Sequence, residues 1–331
     1  MAARGGEVKE PFLEELGRLP AVQFLLHRLE KGGVLSCPGA GSSVHPFLAR
    51  LLSFAFPDRP FLVVTDGLRS QERFHQDLMT WIRVTRPTKD EIEPAPPWFF
   101  PAWESLPREG KLPHVDVIGD RLATLMALMD HRGGWEDGKR FVVANAIGLA
   151  QRTFATNRLR HQVRSLVRHQ REDPLALVEW LESQGYAPET QVTQKGEIAL
   201  RGGILDVFPL TAAWPVRLEF FGDELESLRE FDPATQVSRA EIDRVVLPPG
   251  GELGLLRHGT TASGMQAESA GNDLDPPGGL GTLLDYLPPE TIVLLSEPGA
   301  IAEQFAQYRR QMPDGDPLWI EWPELLAEIE Q

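Results

Sequence analysis

A glycine-containing segment near the N-terminus has the residue types of a phosphate-binding loop. Residues 36–43 read SCPGAGSS, follow the apolar pair Val34-Leu35 and precede a predicted helix over 45–56. A strand, a glycine turn and a helix N-terminus together cradle nucleotide phosphates, because backbone N–H groups and the helix dipole point at the anion. The alternative interpretation is an ordinary Gly/Ser turn before a helix.

The segment lacks the residue that carries most of this chemistry. In the working pattern G-x-x-x-x-G-K-[ST] the lysine neutralises the β- and γ-phosphates. Gly41 holds the second glycine here, but Ser36 replaces the first glycine and Ser42 replaces the lysine. We therefore predict a degenerate nucleotide loop, built from Gly39, Gly41, Ser42 and Ser43, that binds nucleotide weakly at best.

Composition limits the class of protein. The 331 residues favour two or three domains, and the net charge of −15 argues against a broad nucleic-acid-binding face, although a local basic patch is compatible with it. Cys37 is the only cysteine, which excludes an internal disulfide, and the histidines show no paired-ligand spacing. Residues 1–10 have no apolar signal region, and no run of about 18 apolar residues appears. We predict a cytoplasmic chain without metal, cofactor or membrane span.

The pattern of apolar residues predicts an α/β fold with a second, inserted region. Short apolar runs at 61–64, 141–144 and 292–295, separated by helical segments at 70–81 and 120–129, indicate a parallel sheet, with a proline-rich loop at 93–113. After residue 151 the pattern changes to one helix and several short alternating strands, which is typical of an α+β unit. The predicted strands of that unit are 197–200, 204–208, 216–221, 224–231 and 242–247.

These changes define the predicted domains. Residues 1–152 and 248–331 form a discontinuous, degenerate RecA/P-loop-like domain, and 153–247 form the inserted α+β domain. Residues 250–281 are rich in Gly, Ser and Asp, which predicts a mobile loop. The tail over 318–329 carries large apolar side chains that would dock against the sheet.

Three segments together resemble UvrB. They resemble more closely the N-terminal UvrB-homology module of the Mfd family, the bacterial transcription-repair coupling factors. The first is the degenerate loop, and the second is RGGILDVFP at 201–209 with VRLEFFGDE at 216–224. The third is TLLDYLP at 282–288. UvrB carries a long aromatic hairpin near the proline-rich segment, whereas only residues 108–119 fill that space here, and this favours the Mfd-like module.

The resemblance implies that a second half of the nucleotide site is also lost. In the ATP-using relative, the strand matching 292–295 ends in an aspartate that holds Mg²⁺ and a glutamate that orients the attacking water. Ser296 and Glu297 stand at those positions, and serine supplies no charge for a hard cation. With no lysine at 42 and no aspartate at 296, we predict no catalytic residue in this chain.

One predicted strand presents a surface without any appeal to a family. Alternation over 216–221 places Arg217, Glu219 and Phe221 on the face opposite Val216 and Leu218. An arginine beside an exposed aromatic is typical of a binding anchor. The alternative is that Phe221 is buried under the turn at 222 while Arg217 pairs with Glu219.

The resemblance implies UvrA, the damage-recognition ATPase, as the partner of this surface. The residues with which the family contacts UvrA correspond to Arg201, Arg217 and Phe221 in this sequence. Gly202-Gly203 would permit a bulge that re-aims Arg201, and Asp206 would pair locally in a structural role. Full-length relatives also bind RNA polymerase and DNA, through regions that this chain does not include.

Two rival functions remain at the level of the sequence. The first is an ATP-dependent helicase fragment, against which both altered site positions argue. The second is a DNA-binding module, suggested by six arginines between residues 152 and 171. Those arginines are equally compatible with an acidic protein partner or with solvated surface, and they lack interleaved aromatic residues beyond Phe154.

Overall fold

A computed structural model describes residues 10–86, 93–104, 112–131, 135–256 and 279–330. The chain divides into two compact units that alternate along the sequence. The first comprises Met1–Ala102, Asp130–Gln151 and Tyr286–Gln331, and the second comprises Trp103–Met129 and Arg152–Asp285. Residues 103–129 and 248–285 thus group with the second unit, whereas the sequence pattern predicted them in the first. No helix of the described residues is long and apolar enough to cross a membrane.

The first unit is built on a parallel sheet of four strands. The strands are β1 (Phe61–Thr65), β2 (Trp98–Phe100), β3 (Phe141–Asn145) and β14 (Ile292–Leu295), in the order β14-β1-β3-β2. All residues of β1 and β3 are buried, as expected of central parallel strands covered on both faces. The predicted α/β class with a parallel sheet is confirmed.

Seven helices of the described residues accompany this sheet in the first unit. Its core joins Phe61, Val63, Phe141 and Val143 to apolar side chains of the third and fourth helices, including Leu52, Phe74 and Leu78. The helices are α1 (Glu10–Gly17), α2 (Pro20–Glu30), α3 (His45–Ala55), α4 (Leu68–Thr85), α6 (Ala146–Ala150), α9 (Pro298–Arg309) and α10 (Trp322–Glu330).

Two local predictions for the first unit are wrong. Trp98–Phe100, assigned to a loop, forms β2 and pairs in parallel with β3, because tertiary pairing overrides the proline-rich surroundings. Val34 and Leu35, expected to form a strand before the glycine loop, lie in irregular structure, and Val34 is exposed.

The C-terminal tail is helical as α10. The ring of its Trp322 lies 4.5 Å from the ring of Phe305 on α9.

The second unit contains a six-stranded, almost entirely antiparallel sheet. Its order is β11-β10-β9-β8-β7-β6, and only the edge pair of β6 and β7 is parallel. The strands are β6 (Ala187–Pro188), β7 (Glu197–Arg201), β8 (Ile204–Val207), β9 (Val216–Phe221), β10 (Glu224–Phe231) and β11 (Ser238–Glu241). This sheet confirms the predicted additional α+β region.

One face of this sheet forms the core of the second unit. Leu205, Leu218 and Leu228 lie in register across three strands and pack against Leu177 and Leu181 of the helix α8 (Pro174–Ser183). Two short antiparallel pairs complete the unit, together with the helices α5 (Val115–Met129) and α7 (Thr156–Gln162). The pairs are β4 (Thr153–Phe154) with β13 (Leu280–Gly281), and β5 (Arg164–Val167) with β12 (Arg244–Leu247).

A buried carboxylate ties four separate segments of the second unit together. Glu252 is fully buried and accepts hydrogen bonds from Arg121 Nε at 2.8 Å, Trp103 Nε1 at 2.9 Å and Thr153 Oγ1 at 2.7 Å. A second bond from Arg121 Nη2, at 3.1 Å, makes the ion pair bidentate. Arg121 is also fully buried, so this ion pair compensates two charges that are away from solvent.

The described ends of the predicted mobile loop are packed. Residues 253–256 form a helical turn in which Leu253 and Leu256 are fully buried, and 280–281 lie in β13. The structure therefore differs from the expectation at both ends. Residues 257–278, the greater part of the predicted loop, lie outside the described residues.

Candidate partner-binding surface and degenerate nucleotide loop

The glycine loop has lost the geometry as well as the lysine of a phosphate site. Gly39 has a φ of +92°, so the turn requires glycine there, whereas Gly41 has an ordinary φ of −70° with open space around it. Ser42 and Ser43 lie in a short 3₁₀ turn, Ser42–Val44, and α3 begins only at His45. The helix N-terminus is thus displaced from the position at which a phosphate loop joins its helix.

His45 links the two halves of the degenerate site. One ring nitrogen, Nδ1, lies 2.8 Å from Ser296 Oγ, and the other, Nε2, lies 3.0 Å from the carbonyl oxygen of Ala40. Ser296 follows β14 directly, is only 8% exposed, and still donates its backbone N–H to Val64. His45 thus brings position 296 close to the loop, and sequence reasoning missed this residue because it lies outside the motif.

Glu297 does not complete a metal site. It has a φ of +60°, in the left-handed region that is uncommon for residues other than glycine, and immediately precedes Pro298 of α9. Its side chain is exposed, while the hydroxyl at 296 is committed to His45. Within the described part of the chain, no group of three or more His, Cys, Asp or Glu residues could hold a metal ion.

Titration with Mg-ATP is expected to leave the thermal unfolding of this chain unchanged. A ligand at 100 times its Kd would stabilise the protein by about 2.7 kcal/mol, which such a scan would detect. Ser42→Lys alone should not restore ATP hydrolysis, because Ser296 still provides no carboxylate for Mg²⁺. ATP-dependent phosphate release that disappears when Gly41 is replaced would contradict this expectation.

The outer face of the six-stranded sheet carries a layered arrangement of side chains. At one side, Phe208 and Phe231 form a small apolar cluster with Val192 and Ala199. Asp206 and Arg217 come next, paired in register on neighbouring strands. Beyond them Arg201, Ile204 and Glu219 lie in register across β7, β8 and β9, with Phe221 two residues further along β9. We refer to Arg201, Ile204, Asp206, Arg217, Glu219 and Phe221 as the outer-face patch.

Asp206 is the electrostatic centre of this patch. Its carboxylate is fully buried and accepts two hydrogen bonds from Arg217, from Nε at 2.7 Å and from Nη2 at 2.9 Å. A third hydrogen bond comes from Arg201 Nη2 at 2.8 Å. Hydrogen bonding to Asp206, followed by the charges of Asp206 and Glu219, raises the pKa of Arg217 above its usual value. Asp206 thus pairs locally, as expected, but with both predicted contact arginines at once.

Both alternatives to an exposed binding surface on β9 are wrong. Phe221 is 79% exposed rather than buried under the turn at 222. Arg217 binds Asp206, while Glu219 accepts from Ser227 Oγ at 2.6 Å and pairs with Arg229 at 3.2 Å. The alternation predicted for β9 is present, since Val216 and Leu218 are buried on the other face.

Gly202 and Gly203 form a hairpin turn rather than a bulge. Arg201 and Ile204 are paired directly, without a shift in register, so the two glycines are the whole connection between β7 and β8. Gly202 has a φ of +62°, which a two-residue turn of this kind demands. A Cβ at Gly203 would lie 2.8 Å from the carbonyl oxygen of Phe220. The turn therefore packs closely against the end of β9.

Most of the arginines between 152 and 171 are engaged within the second unit. Arg164 stacks on Trp180 and pairs with Glu172, and Arg158 donates to the carbonyl oxygen of Leu255. Arg168 and Arg171 lie within 4 Å of Glu241 and Asp223, respectively. These pairings reduce the positive charge available to nucleic-acid phosphates.

Comparison with known proteins agrees with the motifs. Residues 165–252, which include the entire outer-face patch, match the sequence model of the UvrB interaction domain. Transcription-repair-coupling factors are similar over about half of the chain. The chain is 34% identical to that of Haemophilus influenzae over 179 residues, 36% identical to that of Escherichia coli over 151 residues, and 37% identical to that of Mycobacterium bovis over 147 residues.

These matches cover a large share of this chain but a small share of each relative. They cover 54%, 46% and 44% of this chain, but only 15%, 13% and 12% of the lengths of those relatives. The chain therefore spans a small part of the curated relatives it matches. The resemblance inferred from the motifs is confirmed: this chain is similar to transcription-repair-coupling factors and carries, at 165–252, a match to the UvrB interaction domain.

Proposed function

We propose that this chain is a non-catalytic module that binds UvrA and recruits it in transcription-coupled nucleotide excision repair. The observation that carries the proposal is the exposure of Phe221 and Arg201 on the same face of the six-stranded sheet, within the segment that matches the UvrB interaction domain. Aromatic and arginine side chains dominate the energetics of protein interfaces. The partner would supply acidic and apolar groups to this face.

The proposed absence of catalysis rests on the first unit. Ser42 stands where a phosphate-binding lysine would be, and Ser296 is hydrogen-bonded to His45 instead of presenting a metal-binding carboxylate. The chain would therefore contribute a docking surface, and any ATP-dependent step would belong to other parts of a larger protein or to the partner. RNA polymerase and DNA are proposed as partners of such other parts only.

Phe221→Ala is expected to weaken UvrA binding by about 2 kcal/mol, chiefly through faster dissociation, since a central aromatic anchor is lost. The fold should be unaffected, because Phe221 is 79% exposed and lies outside the buried core. Calorimetry with purified UvrA measures the affinity, and circular dichroism checks the fold. Val237→Ala, which removes another exposed apolar side chain of the same unit, is the matched control and should bind like wild type.

The outcomes separate the proposal from its rivals. A wild-type chain that does not bind UvrA would refute the proposed function. UvrA binding unaffected by Phe221→Ala would place the interface elsewhere. Salt-dependent binding to duplex DNA, with a slope reporting several phosphate contacts, would instead favour a DNA-binding module.

A further inference from the structure

The two arginines of the outer-face patch share one buried counter-charge. Arg201 and Arg217 bring two positive charges to a single carboxylate, Asp206, which is inaccessible to solvent. One positive charge therefore remains uncompensated within this group of three residues. The neighbouring Glu219 acts on Arg217 through its charge, but its direct partners are Ser227 and Arg229 rather than either arginine of this group.

The two arginines bind Asp206 in different ways. Arg217 gives two of its nitrogens to the carboxylate, its guanidinium lies 4.6 Å from the centre of the Phe231 ring, and its side chain is only 18% exposed. Arg201 gives one nitrogen, and its side chain is 53% exposed. Among the described residues the side chain of Arg201 has no hydrogen-bond partner other than Asp206, and its exposure leaves its other nitrogens accessible to solvent.

We propose that Asp206 is a positioning residue of the UvrA-docking surface: it retains Arg217 within the sheet face and presents Arg201 as the cationic anchor for a carboxylate of the partner. This inference rests on the proposed function and refines it. The resemblance implied direct contact with UvrA for both arginines. The geometry gives direct contact to Arg201 and makes Arg217 part of its support.

The physical reason is preorganisation. An arginine free in solvent loses rotamer entropy when it is fixed in an interface, and a hydrogen bond already present in the unbound protein reduces that loss. The bidentate pair of Arg217 with Asp206 fixes the carboxylate, and the fixed carboxylate in turn orients Arg201. Ile204, 37% exposed, and Phe221 extend the surface with apolar area. A partner segment with a carboxylate next to an apolar side chain fits this arrangement.

Asp206→Asn tests the positioning role, because it removes the charge while nearly preserving the shape. We expect the Kd for UvrA to rise at least about tenfold, equivalent to 1.4 kcal/mol. Asp173→Asn, the same chemical change at the N-cap of α8, is the matched control, since asparagine caps a helix as well as aspartate does. It should leave the Kd unchanged. Thermal unfolding and near-UV circular dichroism verify that each variant is folded.

A double-mutant cycle separates positioning from a merely structural role. If Asp206 acts through Arg201, Asp206→Asn should change the Kd by less than about threefold in an Arg201→Ala background, because effects of coupled residues are not additive. Equal fold-changes in both backgrounds would overturn the inference. If Asp206→Asn does not fold, Arg217→Lys provides the same test, since lysine keeps the charge but cannot form the bidentate pair.

The results distinguish this inference from the proposed function. If wild type does not bind UvrA, the proposed function fails, and the inference fails with it. If Arg201→Ala and Phe221→Ala weaken binding while folded Asp206→Asn binds like wild type, the docking surface stands and only the positioning role is refuted.

Discussion

Replacing Glu252 by alanine is expected to destabilise the second unit by about 3–5 kcal/mol, the usual consequence of removing one partner of a buried ion pair. Arg121, which is fully buried, would lose its bidentate carboxylate partner, and the donors of Trp103 and Thr153 would lose this acceptor. Because these groups come from separate segments, we expect the loss to affect the whole unit rather than one loop.

Hydrogen exchange measured by mass spectrometry tests this expectation, since it reports the two units separately within the intact chain. Protection should fall across the second unit and remain unchanged in the parallel sheet of the first. Asp223→Ala is the matched control, because it breaks a largely exposed ion pair with Arg171. Such a pair contributes about 0–1 kcal/mol to the free energy of unfolding. Equal effects of the two substitutions would contradict the assigned role of Glu252.

Arg201→Ala is expected to weaken UvrA binding by about 2–5 kcal/mol, because a charge that is paired and desolvated in the complex would be lost. The free protein should tolerate the change, since Asp206 keeps both hydrogen bonds from Arg217 and no buried charge is orphaned. The expected effect therefore lies in binding and not in folding. Calorimetry and thermal unfolding of the same preparation measure the two separately.

Arg160→Ala provides the matched control for Arg201→Ala. Arg160 is an exposed arginine on α7 of the same unit, outside the outer-face patch, so its removal changes the net charge equally. It should leave the affinity within about 0.5 kcal/mol of wild type. Comparable losses for both variants would show that overall charge, rather than a specific contact of Arg201, governs association.

The sequence by itself determined the architecture of both sheets to a large extent. The apolar runs at β1, β3 and β14 predicted parallel strands, because residues buried on both faces leave no polar alternation. β1 and β3 are central and fully buried, whereas β14 lies at an edge of the sheet and is mostly half-buried. Alternation along β9 predicted correctly which side chains face outward. The residue types at 42 and 296 likewise sufficed to predict that both charged groups of a nucleotide site are absent.

Only the tertiary structure decided which groups act together. Strand register brings Asp206 opposite Arg217 and Arg201 opposite Ile204, so the unequal contacts of the two arginines with Asp206 depend on pairings that no local pattern encodes. His45 meets Ser296 across 251 positions of sequence. Glu252, which composition placed in a mobile loop, is instead buried against Arg121, 131 positions away. The free energy of a buried polar group depends on partners that chain folding brings to it, and those partners are distant in sequence.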